Sequence, residues 1–140
     1  MKVSKIHSLF VLIFMFSVSC KTTKETHSIS LNDPEKVWIL EYINEPDIDF
    51  EVLFPEEKPS ISFNLDEDQI NGNDTCNGFF SKIEISGSSI SIKDPVGTMR
   101  FCEESGDKIF IKTLKEVDSF RVKDDILEFS ANNVVLLRFK

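Results

Sequence analysis

The chain has 140 residues, of which 41% are hydrophobic and 29% are charged, and its formal net charge is −8. A chain of this length is expected to form one domain. The acidic balance argues against nucleic acid as a partner, because phosphate contacts require an excess of Lys and Arg.

The first 19 residues follow the order of a secretory signal. Lys2 and Lys5 form a short positive region, Leu9–Phe16 is an unbroken apolar run, and small or β-branched residues occupy positions 17 to 19. The run is far shorter than the ~20 residues that span a bilayer, so we expect a signal peptide over residues 1–19 rather than a transmembrane anchor.

Cys20 follows this segment, and its setting resembles the bacterial lipobox, in which a cysteine after a small residue is acylated and becomes the new N-terminus. Ser17 stands where the lipobox usually has Leu, and residues 17–19 also fit ordinary signal peptidase, which would release a soluble chain. Lipidation of Cys20 is favoured, because a free exposed thiol is a liability in an oxidising compartment. Lys21, rather than Asp, follows the cysteine; by resemblance to bacterial sorting rules, this favours the outer membrane, facing the periplasm.

Residues 20–35 are polar and without periodicity, and we interpret them as a flexible tether that reaches about 20 Å. An ordered N-terminal strand containing Ile29 and Leu31 is the alternative. The signal contains two lysines and no acid, so the mature chain of 121 residues carries 14 basic and 24 acidic side chains, a net charge of −10. Such a chain gains little attraction to anionic lipid, and the expected membrane contact is the lipid alone.

From Val37 onward, the apolar side chains alternate with polar ones, the pattern of half-buried antiparallel strands. Asp124-Asp125 and Asn132-Asn133 are short enough for tight hairpins, since Asp and Asn tolerate positive φ. The alternating segments are Ile61–Leu65, Ile83–Ile85, Ile90–Ile92, Phe120–Val122, Leu127–Phe129 and Val135–Phe139.

In the segment Asp107–Val117, the apolar residues recur at the spacing of one helical face, and Ser105 could cap the start of the helix. Ten of the thirteen Phe lie beyond the signal and can fill a single core. A small sheet must close or cover its edges. The predicted fold is therefore mainly β, a small antiparallel barrel, closed or nearly closed, with one short α-helix.

Three motifs in this order resemble the META-domain family of bacterial envelope proteins, also called HslJ-like: Trp-x-Leu at Trp38–Leu40, Cys-Asn at Cys76–Asn77, and Thr-Met-x-x-Cys at Thr98–Cys102. The resemblance spans residues 36–140. It implies a lipocalin-like barrel with one helix and an association with envelope and heat stress, and it does not imply an enzyme. In an exported protein, Cys76 and Cys102 are expected to form a disulfide, with two separate buried thiols as the alternative.

The histidines, His7 and His27, lie in the predicted signal and tether. Their absence from residues 36–140 excludes Ser-His-Asp and Cys-His catalysis and most zinc sites there, and we expect no cofactor and no enzyme. The acidic run Asp66–Asp74 places Ile70 and Asn71 where an EF-hand needs an oxygen ligand and Gly. An acidic hairpin loop is favoured over an improvised calcium site.

Four further charged side chains each have a functional and a structural interpretation. Glu103, Glu104 and Asp107 could act as paired carboxylates, but at a helix start they more often interact with the helix dipole. Arg100 is expected to pair with a carboxylate rather than face a ligand.

These observations favour a non-enzymatic envelope lipoprotein that acts as a binding module. We expect a monomer, attached to the membrane by its lipid, with an envelope protein as partner and with Trp38, Asn77, Thr98 and Arg100 as candidate interaction residues. One alternative is an inhibitor of a protease or lysozyme that inserts a rigid loop near Cys76 or Glu103. The other is a carrier for a small apolar ligand, which would need an internal cavity.

Overall fold

The computed structural model describes residues 31, 33–102 and 106–140. This part of the chain contains nine β-strands and helices α1 (Phe50–Leu53) and α2 (Gly106–Lys115). The predicted signal, Cys20, Ser105, Glu103 and Glu104 lie outside the described residues. The strands are β1 (Trp38–Ile43), β2 (Ser60–Asn64), β3 (Gln69–Asn73), β4 (Gly78–Ser86), β5 (Ser89–Ile92), β6 (Val96–Gly97), β7 (Ser119–Lys123), β8 (Ile126–Ala131) and β9 (Val134–Phe139).

Eight of the strands close into an antiparallel barrel. Apart from β6, each strand pairs with the next one along the chain, and β1 pairs with β9 to complete the ring. β6 is an additional strand that pairs with β4 at Phe79 and Phe80. This up-and-down order is that of lipocalin-like barrels, and it confirms the predicted fold class.

The strand pairings define two ends of the barrel. At the proximal end, the chain enters β1, Ile39 exchanges backbone hydrogen bonds with Lys140 after the end of β9, and the β4–β5 and β7–β8 hairpins turn. At the distal end lie the β3–β4 connection, which follows Asn73, and the β8–β9 hairpin, which leads into Val134. Because β4 runs in the direction opposite to β1, β4 begins at the distal end, and an element that continues past its start lies there too.

Two predicted hairpins have the expected backbone. Asp124 and Asp125 connect β7 to β8 with φ of 53° and 58°, and Asn132 and Asn133 connect β8 to β9 with φ of 51° and 65°. Positive φ at both central residues matches the twist of adjacent strands. Asp and Asn adopt this conformation more readily than other residues with a side chain, so these turns set the register of β7, β8 and β9.

Aromatic side chains fill the barrel interior. Phe129 packs edge-on against Phe63 and Phe139, with ring centroids 6.5 and 5.6 Å apart. Helix α2 adds Phe110, whose ring lies 6.4 Å from that of Phe139, and Leu114, which is also fully buried. The buried face of the helix is the one that its spacing predicts. Neither helix of the described residues is long and apolar enough to cross a membrane.

Three features differ from the sequence-based expectations. The acidic run was interpreted as a hairpin loop, but its second half forms β3, with Ile70 fully buried. Helix α1 was not predicted; its last carbonyl, that of Leu53, lies where a Cβ at Gly106 would collide. Leu31, in the predicted tether, is buried in the core. Packing therefore begins at least five residues before Lys36.

Candidate functional site

A tight turn at the distal end connects β3 to β4. The carboxylate of Asp74 is buried and its Oδ1 accepts hydrogen bonds from the backbone N–H groups of Cys76, at 2.9 Å, and Asn77, at 2.5 Å. Thr75 has a φ of 85°, and its N–H donates to Oδ1 of Asn73 at 2.7 Å. Short polar side chains thus satisfy the backbone of the turn and hold Cys76 and Asn77 in place.

Asn77 connects this turn to the segment that follows β6. Its Oδ1 accepts hydrogen bonds from Oγ1 of Thr98 at 2.9 Å and from the backbone N–H of Arg100 at 2.7 Å. Its Nδ2 donates to the carbonyl of Arg100 at 3.4 Å. One half-buried amide therefore organises a segment more than twenty residues away in the sequence.

A disulfide between Cys76 and Cys102, with sulfur atoms 2.02 Å apart, closes the same segment at its far end. Nε of Arg100 donates to the carbonyl of Cys76 at 3.1 Å, so the guanidinium group contacts a backbone oxygen. The structure therefore brings together Cys76, Cys102, Asn77, Thr98 and Arg100. We call residues 96–102 the clamped loop, because β6, Asn77 and the disulfide restrain it.

The clamped loop exposes large apolar side chains. Met99 is 99% exposed and Phe101 is 86% exposed, although β6 and the disulfide hold the segment on both sides of them. Val96 and Phe80 are also exposed, and Nζ of Lys108 lies 5.9 Å from the centre of the Phe101 ring. Apolar side chains this exposed on a restrained loop are typical of a contact surface.

Trp38 lies away from this site. Its ring is fully buried in the core, and Nζ of Lys36 lies 4.5 Å above it. The indole Nε1 has no hydrogen-bond partner among the described residues. The position of Trp38 is that of a packing residue. Tyr42, by contrast, lies on the outer face of the barrel, with the guanidinium of Arg138 5.3 Å from its ring.

The acidic residues do not form a metal centre in the described part of the chain. No group of three or more His, Cys, Asp or Glu side chains comes together there. Asp74 accepts backbone hydrogen bonds, and the run that precedes it forms a 3-10 turn at Leu65–Glu67 and then β3. Asp107 is buried at the start of α2. Asp74 therefore stabilises a turn, and Asp107 lies at the start of a helix.

A separate charged cluster lies on the outer face of β7, β8 and β9. The carboxylate of Glu128 accepts hydrogen bonds from the guanidinium of Arg121 and from Nε of Arg138, the latter at 3.1 Å. The bond from Arg121, assisted by that from Arg138, holds the pKa of Glu128 below its usual range. The cluster joins three adjacent strands and does not reach the clamped loop.

Sequence reasoning did not single out Asp74, Met99 or Phe101. Asp74 was assigned to an acidic loop, and Met99 was noted only as part of a motif. A usable signal exists: Met99 and Phe101 are large apolar residues in a segment with no strand or helix period. Such residues have no predicted core position, which is the reason to ask whether they are exposed.

The chain is similar to known proteins both in sequence and in fold. The sequence profile of the META domain matches residues 32–140. The chain belongs to the META domain family. The family motifs Cys-Asn and Thr-Met-x-x-Cys therefore lie, in this member, on the two sides of the clamp described above.

Two solved structures share the fold of this META domain. The NMR structure of a protein from Burkholderia xenovorans has a TM-score of 0.56 and 14% sequence identity, with 81% of this chain and 84% of that chain covered. A second NMR structure has a TM-score of 0.53 and 20% identity, with coverage of 76% and 89%. The comparison with curated proteins returned no match. At these sequence identities, the likeness to the two structures is one of fold.

Proposed function

We propose that this META domain protein is a non-enzymatic, lipid-anchored protein of the cell envelope that binds another envelope component through the clamped loop. The observation that carries the proposal is the almost complete exposure of Met99 and Phe101 on a loop restrained by a disulfide. A few side chains that become fully buried near the centre of a contact contribute most of its binding energy.

The restraint of the loop supports a binding role. A flexible loop loses conformational entropy when it binds, and a loop that already has its bound shape avoids most of that loss. Asn77 and the disulfide supply this preorganisation at both sides of Met99. A disulfide persists in an oxidising compartment, which agrees with export directed by residues 1–19 and attachment at Cys20.

Inhibition of a protease or lysozyme is the second candidate function. The same observation favours it, because inhibitors of this kind insert an exposed, rigid loop into the enzyme's cleft. Inhibition assays against a panel of bacterial and host proteases and lysozymes test it directly. A variant with both Met99→Ser and Phe101→Ser should lose the inhibition if the loop carries it.

The interior of the barrel argues against a carrier of apolar ligands. Phe63, Phe110, Phe129 and Phe139 pack against one another along it, and the first is 3% exposed and the others are fully buried. A ligand would have to displace these rings from a close-packed core.

The experiment that tests the proposal places a photoreactive benzoylphenylalanine at Met99 in whole bacteria. We expect adducts with an envelope component after irradiation, and none from the matched position Val134, an exposed side chain of β9 outside the clamped loop. Equal labelling from both positions would contradict the role of the loop. Intact-mass analysis of the isolated protein tests the anchor, since an unmodified Cys20 at the N-terminus would refute lipidation.

The link to envelope or heat stress is part of the same proposal. A strain that lacks the protein should survive heat less well, and the wild-type chain should restore survival. A chain with Met99→Ser and Phe101→Ser should restore it less well than a chain with Val134→Ser. Full rescue by both variants would separate the stress role from the loop.

A further inference from the structure

The clamped loop and the N-terminal segment lie at opposite ends of the barrel. β6 runs antiparallel to β4, with Gly97 opposite Phe79, so the loop that follows β6 extends past the start of β4 at the distal end. Lys36 lies two residues before β1. Its Nζ is 3.7 Å from a carboxylate oxygen of Asp125 in the β7–β8 hairpin, at the proximal end. The length of the barrel therefore separates the loop from the point where the chain enters.

This arrangement sets how far the clamped loop can stand from a membrane that holds Cys20. Leu31 is buried in the core, and a flexible coil of the eleven residues that precede it from Cys20 onward would reach about 18 Å. The nine residues of β4, at about 3.3 Å each and tilted by about 40°, add about 23 Å along the barrel axis. A lipid on Cys20 thus allows the loop to stand about 40 Å from the bilayer surface.

The proximal end is acidic and gains no attraction from anionic headgroups. Exposed carboxylates lie before β1, between β2 and β3, and in the β7–β8 hairpin: Asp33, Glu35, Asp66, Glu67, Asp68, Asp124 and Asp125. They outnumber the lysines that lie among them, Lys36, Lys82, Lys123 and Lys140. Because the cytoplasmic and outer leaflets that carry anionic lipid attract basic and repel acidic segments, this end favours a barrel that stands off the bilayer.

A groove on the outer face of the barrel adjoins the clamped loop. Phe80 of β4 and Val96 of β6 lie opposite each other on this face and are 44% and 57% exposed. Beside them a groove of about 450 Å³ passes over Gly78 and Gly97, and we call it the distal groove. A Cβ at Gly78 would lie 4.0 Å from its nearest neighbour. The distal groove therefore has room for an apolar side chain of a partner.

The clamped loop and the distal groove together suit a protein surface. Met99 and Phe101 project beside a recess, and protein interfaces are enriched in Met and aromatic residues. The flexible thioether of Met adapts to irregular apolar pockets. Arg100 and Lys108 are exposed next to the apolar pair and could meet carboxylates of the partner. A second copy of this chain is disfavoured as the partner, because each copy carries a net charge of −8.

We infer that the partner of the clamped loop is a protein that stands off the membrane holding the N-terminal lipid: it receives Met99 and Phe101 in an apolar recess and places an apolar side chain of its own in the distal groove, over Gly78. The inference deepens the proposed function and rests on it for the position of the chain at a membrane. The proximal end then faces the tether, and the distal end faces the partner.

The first test fills the distal groove. Gly78→Leu adds a side chain on the outer face of β4, and Ser86→Leu adds the same side chain on the same face of that strand at the proximal end. Each is combined with benzoylphenylalanine at Met99 in whole bacteria. We expect Gly78→Leu to reduce the yield of a protein adduct at least about tenfold, and Ser86→Leu to change it by less than about twofold. Equal yields from the two variants overturn the inference.

The second test needs no change in the groove and compares the two ends of the barrel. Benzoylphenylalanine replaces either Phe80, beside the distal groove, or Val37, an exposed apolar residue one position before β1. We expect position 80 to form an adduct with the same protein as position 99, and position 37 to form none with it. Adducts of positions 80 and 99 with lipid or with a second copy of this chain overturn the inference, as does equal labelling of the protein from position 37.

The third test measures height above the membrane. The protein, isolated as the cell processes it, is placed in vesicles of phosphatidylethanolamine and phosphatidylglycerol that carry an acceptor dye on the headgroups. A donor dye is attached through azidophenylalanine at Met99 or at Val37. We expect less energy transfer from position 99 than from position 37. Equal or greater transfer from position 99 overturns the orientation.

The inference and the proposed function fail in different ways. An unmodified Cys20 in the isolated protein refutes the anchor, whereas the comparison of Gly78→Leu with Ser86→Leu responds only to the contact surface. The absence of any adduct from position 99 contradicts the proposed function. A protein adduct from position 99 that survives Gly78→Leu overturns the role of the distal groove and retains the loop as a binding element.

Discussion

Asn77 holds Arg100 by hydrogen bonds in both directions: Oδ1 accepts from the Arg100 N–H at 2.7 Å, and Nδ2 donates to the Arg100 carbonyl at 3.4 Å. The amide side chain thus takes the place of a backbone strand and satisfies both polar groups of one residue. Arg100 lies between Met99 and Phe101, so the restraint acts at the centre of the exposed part of the clamped loop.

Replacement of Asn77 should loosen the clamped loop. Asn77→Ala removes the bonds to Thr98 and Arg100, and we expect a loss of about 1–2 kcal/mol in the free energy of unfolding. Hydrogen exchange of the Arg100 amide should become faster. Asn77→Asp keeps an oxygen acceptor for that amide and should retain most of its protection. Unchanged exchange in Asn77→Ala would contradict the assigned role.

Removal of the disulfide should destabilise the whole domain. Cys76 and Cys102 are 26 residues apart in the sequence, and the entropy of closing a loop of that length gives about 3.5 kcal/mol of stabilisation. Urea unfolding of the variant Cys76→Ala with Cys102→Ala measures this loss. Wild-type protein under a reductant should unfold at nearly the same urea concentration as the variant. A variant as stable as the oxidised wild type would refute the prediction.

Glu128 should make stability depend on pH at acidic values. Its side chain is 13% exposed, and its pKa is lowered by the hydrogen bond from Arg121 and by that from Arg138. The pKa is therefore lower in the folded than in the unfolded chain. The stabilisation is present above the unfolded value, about 4.3, and is lost as the pH falls through the lower, folded value.

Glu128→Gln should accordingly lower the free energy of unfolding at pH 7 by about 1 kcal/mol. The difference from wild type should shrink as the pH falls below about 4. Glu84→Gln is the matched control, because Glu84 is an exposed carboxylate 3.0 Å from Lys93. Chemical denaturation at several pH values checks both variants. A difference that stays constant down to pH 3 would show that Glu128 acts through packing and not through its charge.

Gly72 should resist substitution because an aromatic ring occupies the space next to it. A Cβ at this position would lie 2.5 Å from Cζ of Phe79 and 2.5 Å from the backbone oxygen of Ser60. We expect Gly72→Ala to lower the free energy of unfolding by about 1–3 kcal/mol. At Gly78 the nearest atom would be 4.0 Å away, so Gly78→Ala should change stability by less than about 0.5 kcal/mol. Similar thermal shifts for the two variants would contradict this packing.

Much of the barrel could be predicted from the sequence because the relevant signals are local. Alternation in Phe120–Val122 and Leu127–Phe129 marks strands whose inward side chains are apolar, and Asp124-Asp125 supplies the turn between them. Strand β3 lacks that signal. Its inward position Gly72 has no side chain, because the ring of Phe79 fills the space instead, and β6 is only two residues long.

The sequence by itself determined the strand pattern, the tight hairpins, the buried face of helix α2 and the residues of the family motifs. It could not determine that Asn77 would restrain Arg100, which is 23 residues away. It also could not determine that Met99 and Phe101 would be exposed at the distal end. Those relationships depend on the pairing of β6 with β4 and on the disulfide, and contacts between distant segments exist only after the barrel has closed.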